Sequence, residues 1–320
     1  MLTLLQIVQA VQGELGLPQS TSVVGNTDAT TTQMFNLANR VLDDLRRDNR
    51  WTAMQFEYDL IVSTPITVTG DTTQNSAVIQ NISPSTAGLD MNYAISGPGL
   101  LQDARVKTVD SSTQLTMTME SVGDNLTGGT FLFGRDTYPV PSDFDFFNND
   151  TMWDRTNQWR LLGPDSPQID QWHRSGIVST GPRRHWRKLG PYASTFRLWP
   201  APFEIASPLQ LVFEYLSLNA VNVNGAGTTF AQYFTSDTDT PLLDDQAIIM
   251  GIKWMFWEIK GFNSLPMQNR YVDYVSKLAA RDAGAPTLTM VRRVAPIYLS
   301  PANVQDGNWP GPGNNSPSGA

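Results

Sequence analysis

"DDQAIIMGIKWMFWEIK", residues 244–260, is the stretch on which the fold turns. Its two leading aspartates suit the positive end of a helix. Ile248, Ile252, Met255 and Ile259 form one stripe at helical spacing, flanked by Ile249, Trp254, Phe256 and Trp257. A helix apolar nearly all round must be covered on most sides.

Three further helices are available to cover it. The first spans about residues 2–15, with Leu2, Leu5, Val8, Val11 and Leu15 in its stripe and Gly16 and Pro18 beyond it. Asp28 reads as the N-cap of a second helix running to about Asp48, with Met34, Ala38, Val41 and Leu45 facing inward. After a break at 262–266, Met267, Tyr271, Tyr274 and Leu278 mark the last helix, with Gly284 and Pro286 as its stop. The expected fold class is therefore α+β: a four-helix bundle with a β-part, with Leu45, Ile252, Met255 and Leu278 in the bundle core.

The β-part begins at Phe56, where the period changes. Residues 71–134 have almost no helical pattern and contain short β runs (SAVIQNI, ARVKTVD, QLTMTME, TFLFG) between Gly, Pro, Asp and Ser clusters. They are expected to form an inserted small β-sandwich or barrel, leaving 1–70 and 135–286 as the core domain. PLQLVFEYLSLN, residues 208–219, is the cleanest strand. Residues 287–320 hold five prolines, four glycines and three charges, too little apolar content to order alone, and read as an extended C-terminal arm. Its anchors include Tyr298 and Trp309.

Composition removes several function classes. There is no cysteine, which excludes disulfides, thiolate zinc sites and cysteine nucleophiles. The two histidines, His173 and His185, are too few for a three-histidine zinc site and leave little for a Ser-His-Asp triad. Charged residues make up 16% of a chain of net charge −8, a polar but weakly charged surface that suits packing against other subunits. No export signal or membrane-length apolar run is read, so a soluble protein assembled in the cytoplasm is expected. No phosphate-binding loop, calcium loop or cofactor motif is found, and no cofactor is expected.

Two stretches carry candidate chemistry. In YPVPSDFDFFNNDTMWDRTN, residues 138–157, Asp143 and Asp145 share a face if the segment is a strand, as the two carboxylates of a hydrolase require. The same Ser-Asp-Phe after a proline also makes an ordinary Asp-capped turn. Between Arg155 and Arg197 lie eight basic residues (Arg155, Arg160, Arg174, Arg183, Arg184, Arg187, Lys188, Arg197) against Asp165 and Asp170. Trp153, Trp159, Trp172 and Trp186 are interleaved with them. Such a stretch can meet phosphates or an acidic neighbour. In an acidic chain, subunit contact is favoured over nucleic acid.

The order of parts is similar to a known family. Arg-Asp-Asn-Arg-Trp at 47–51 leads into a strand. Tyr-Pro-Val-Pro-Ser-Asp-Phe (138–144), Trp-Asp-Arg-Thr-Asn (153–157) and Gly-Pro-Asp-Ser-Pro (163–167) follow. Next come Trp172 and a strand with Phe196, Leu198, Trp199, Pro200 and Pro202, then Phe213-Glu214-Tyr215 and two closing helices. This resembles the head-to-tail adaptor proteins of short-tailed bacteriophages, the tail tubular protein A family and its connector-like relatives, over about 1–60 and 136–284. The resemblance implies a four-helix bundle with a β-part and a non-enzymatic virion protein of the phage neck. It further implies a dodecameric ring beneath the portal protein that continues the DNA channel and offers a platform to the tail nozzle protein. Genomic DNA in that channel is open to non-specific contact. Arg155, Arg160, Arg183, Arg184, Arg187, Lys188, Tyr298 and Trp309 would serve subunit or portal contacts. The rival function is a virion-associated cell-wall hydrolase or glycan-binding tail protein using the Asp/Trp segment.

Overall fold

The computed structural model describes residues 1–175, 184–191 and 194–282. Five helices are α1 (Leu4–Glu14), α2 (Ala29–Asp48), α3 (Pro167–Arg174), α4 (Asp245–Ile259) and α5 (Leu265–Asp282). The starts of α1 to α4 are fixed by caps that satisfy otherwise unpaired N–H groups. The side chains of Asp28, Ser166 and Asp244 accept from the N–H groups of Thr31, Ile169 and Ala247. Thr3 and Gln6 exchange bonds in a capping box.

The expected four-helix bundle is overturned as the fold class: the chain is mostly β. The strands of the first half are β1 (Gln55–Val62), β2 (Ile66–Thr72), β3 (Val78–Ser83), β4 (Tyr93–Ser96), β5 (Val106–Ser111), β6 (Gln114–Met117), β7 (Leu126–Arg135) and β8 (Thr137–Pro139). They are followed by β9 (Phe144–Phe147), β10 (Trp153–Asp154), β11 (Trp159–Arg160), β12 (His185–Leu189), β13 (Thr195–Trp199) and β14 (Leu209–Ser217). Short pairs close the series: β15 (Val221–Asn222), β16 (Phe230–Ala231) and β17 (Thr240–Pro241). Four sheets result, ordered β1–β14–β10–β11 with β9 also on β14, β12–β13–β8, β16–β15–β17, and β4–β7–β2–β3–β6–β5. Segments that look merely extended in the sequence become ladders because their alternate aromatics pack together. Phe147, Phe196, Phe213 and Trp186 are all buried, with ring centroids 4.9–6.1 Å apart along that cluster.

Two compact units divide the chain. The first takes residues 1–56, 143–146 and 215–282. Here α4 packs on α1, α2 and α5, and one core joins Leu4, Ile7, Met34, Val41, Leu45, Ile248, Ile252 and Met255. That core is sealed by residues outside the four helices, among them Trp51, Met54, Leu216, Val221 and Phe234. Trp51 is fixed by its indole N–H, which donates to the Leu45 carbonyl at 2.7 Å. Leu278 is partly buried against the core. Ile259, expected inside, is 54% exposed, because α4 ends there and turns into α5.

The second unit takes the described residues of 57–142 and 147–214. The stretch 71–134, read as an insert, lies in the six-stranded sheet that starts at Ile66 and ends at Arg135, so both boundaries fall inside strands. This half-barrel curls until its edges meet, where Ala94 bridges Arg105 and the Ile95 N–H donates to the Ala104 carbonyl at 2.7 Å. Phe131, Phe133, Ile79, Ile95 and Leu115 fill it. Part of the curl comes from a register shift in β2 at Gly70. A Cβ there would lie 2.8 Å from the Ile79 Cγ2.

Candidate functional site

Asp143, Asp150 and Asp154 of 138–157 are structural in their contacts. Asp143 lies just before β9, and its carboxylate accepts from Ser217 Oγ at 2.6 Å and from the Tyr215 hydroxyl at 3.1 and 3.2 Å. Its carbonyl takes the Leu218 N–H at 2.6 Å. A carboxylate so occupied is a clamp on β14. Asp145 is exposed on the same strand. Asp150 pairs with Arg160, and buried Asp154 caps its turn by accepting the Asn157 N–H and side-chain amide at 3.0 and 2.7 Å.

The basic stretch is answered in space by acids, a carbonyl and a ring, some near in sequence and some, such as Glu57 and Asp103, far away. Arg155 lies 3.9 Å from Glu57, and Arg160 is on Asp150. Arg184 donates to the Pro200 carbonyl at 2.7 Å, and Arg187 meets Asp170 at 2.5 Å. The Lys188 ammonium sits 5.3 Å over the Phe147 ring. Arg174 bridges Asp103 and Asp170, the second at 3.5 Å. At the centre, Arg105 makes a forked pair with Asp136 at 2.5 and 2.6 Å and a further bond to Thr137 Oγ1 at 3.2 Å. Two-pronged geometry of this kind offsets the cost of dehydrating both charges. Arg183, Tyr298 and Trp309, also singled out in the sequence, lie outside the described residues.

These contacts set the electrostatics. Burial pulls the Arg184 and Arg197 guanidinium groups below their ordinary range, and Arg105 adds to the effect at Arg197. Both stay charged, since an arginine in a protein does not deprotonate. At Arg174 burial opposes the charge, but Asp103 and Asp170 outweigh it and hold the group above its usual value. Arg174, Arg187 and Arg197 thus tie α3, β12 and β13 to Asp103, Asp170 and Asp136.

One cluster was missed from the sequence, where the histidines served only to exclude other chemistries. Asp165, His173 and His185 converge with potential donor atoms within 4.8 Å of one another. Asp165 precedes α3, His173 is on its last turn and His185 opens β12. The His185 Nδ1 is 3.2 Å and the His173 Nε2 4.0 Å from Asp165 Oδ2, and the two rings lie tilted at 43° with centroids 4.4 Å apart. Burial, reinforced by His185, lowers the His173 pKa against the opposing pull of Asp165 and Asp170. The available signal was that the only two histidines follow one aspartate within twenty residues.

No helix among the described residues is long and apolar enough to cross a membrane. No protein-family model and no curated protein matches this chain.

Proposed function

We propose that the chain is a non-enzymatic structural subunit. In this reading it builds a head-to-tail ring in the manner of the short-tailed-phage adaptors it resembles, seated between portal and tail nozzle with DNA passing through its channel. The observation that carries this reading is the tip of the α4–α5 hairpin, where Ile259, Phe262 and Leu265 are 54, 61 and 60% exposed. Large apolar side chains grouped at one tip are characteristic of a surface that another chain covers. The resemblance supplies the kind of assembly, and a heterologous contact repeated by rotation supplies closure. A second support is the use of the Asp-rich segment: of the two carboxylates a hydrolase would need free, Asp143 is engaged by Ser217 and Tyr215, while Asp145 is exposed.

Electron-microscopy class averages of the purified protein, and of the virion neck, test the proposal. Closed rings are expected, and Phe262→Asp with Leu265→Asp should leave a folded chain that no longer closes them. A chain that stays monomeric at every concentration and is missing from the neck overturns it. Loss of wall-degrading activity on Asp145→Asn with assembly intact would instead establish the hydrolase.

A further inference from the structure

We propose that Asp165, His173 and His185 form a site for one divalent transition-metal ion of the zinc and cobalt class, which ties α3 to β12. The donor set is two imidazole nitrogens and one carboxylate oxygen. Such borderline nitrogen-rich sites take zinc, cobalt and their neighbours, whereas magnesium and calcium require oxygen ligands throughout.

The geometry is close to that of a bound site. Ligands at about 2.1 Å around a tetrahedral ion stand roughly 3.4 Å from one another. The His185–Asp165 edge is 3.2 Å and the His173–Asp165 edge 4.0 Å, so closing the set requires small rotations of side chains. Backbone pairing fixes where the ligands start. The Asp165 N–H donates to the Trp186 carbonyl, and Leu162 forms a bridge with His185, each with hydrogen bonds of 2.9 Å. Ser166 caps α3 directly after Asp165, which sets the helix that carries His173.

Charge accounting points the same way. Three acidic side chains of the same unit each pair with an arginine: Asp103 with Arg174, Asp136 with Arg105, and Asp170 with Arg187. Among the described residues, the ionic partners recorded for Asp165 are the two histidines. His173 is 6% exposed. A divalent cation bound between the three side chains would bring positive charge to the Asp165 carboxylate. The His185 and Asp165 side chains remain 19% and 10% exposed, which leaves an entry path and room for a water as fourth ligand.

The test uses the full chain without a histidine tag, stripped with a chelator and titrated with cobalt(II) and zinc(II). The expected result is one equivalent of cobalt per chain, the visible absorption of a four-coordinate cobalt centre, and its displacement by zinc. Zinc should also raise the melting temperature. His185→Gln, at the more exposed ligand, should abolish the absorption and the zinc-dependent rise while leaving the metal-free melting temperature near that of the parent. His173→Gln should do the same to the spectrum. No cobalt spectrum at stoichiometric metal overturns the site. So does a spectrum or thermal shift that survives in both variants.

Discussion

At the scale of single residues, aspartate is the organising side chain, and Asp239 shows how much one can do. It is fully buried, and its carboxylate accepts the N–H groups of Asn224, Thr235 and Ser236 at 3.0, 2.8 and 2.8 Å. Its carbonyl receives the Leu4 N–H at 2.8 Å, which anchors the start of α1. Burial alone would raise its pKa, but these donors outweigh it and hold the carboxyl below its ordinary value. The unfolded chain therefore takes up the proton first as the pH falls. The stabilisation is complete above the ordinary value of 3.8 and is lost on acidification through the folded-state value. Asp239→Asn should cost about 1.5–3 kcal/mol at neutral pH, the range for hydrogen bonds to a charged group. It should also flatten the acid dependence, since the titrating group is gone. Urea unfolding across a pH series measures both, and parallel curves for parent and variant would contradict the assignment. Caps at Asp28 and Asp244 were legible in the sequence because each directly precedes a helical period. Asp239 was not, because its partners lie in a loop with no period.

Among the elements, α4 is the one whose burial the sequence reports most directly, and the contact that decides its fit is a glycine. A Cβ on Gly251 would stand 2.5 and 2.9 Å from the two methyl groups of Val41 on α2, and 3.2 Å from a ring carbon of Tyr271 on α5. Glycine inside a helix ordinarily costs about 1 kcal/mol relative to alanine. Here close approach outweighs propensity, because the β-branched Val41 cannot swing aside. Gly251→Ala is expected to destabilise by about 1–3 kcal/mol. Adding Val41→Ala should recover part of the loss, and a double-mutant cycle in chemical denaturation gives the coupling. A stabilised Gly251→Ala chain would mean that the helices stand further apart. The long helices were readable because several turns repeat one stripe. The two-residue strands β10, β11, β15 and β17 were not, since such short runs cannot express a period and are defined by the strand they meet.

For the whole molecule, the misreading of fold class came from weighing elements by their periodicity. Four clear helical stripes suggested a bundle, whereas the strands around them are individually faint and collectively dominant. The six-stranded half-barrel was expected as a detachable insert, yet Arg105 and Asp103 reach out of it to Asp136 and Arg174. Excising 66–135 strips Asp136 of its forked partner and leaves it Arg197, 4.0 Å from its carboxylate, and removing one member of a buried pair costs about 3–5 kcal/mol. The excised chain should therefore be rescued by Asp136→Asn, with a higher denaturation midpoint than the excision alone. Equal midpoints would show that the pair does not join the half-barrel to its neighbours. The discontinuity of the first unit has a separate consequence during synthesis. Its core pairs residues 4–54 with 216–275, so α1 and α2 leave the ribosome long before their partners exist. At roughly 5–20 residues per second, that interval is on the order of ten seconds. The half-barrel, whose strands pair within one local span, can close meanwhile. The nascent chain thus carries a finished sheet beside two unsheltered apolar stripes, a natural client for a chaperone until α4 arrives.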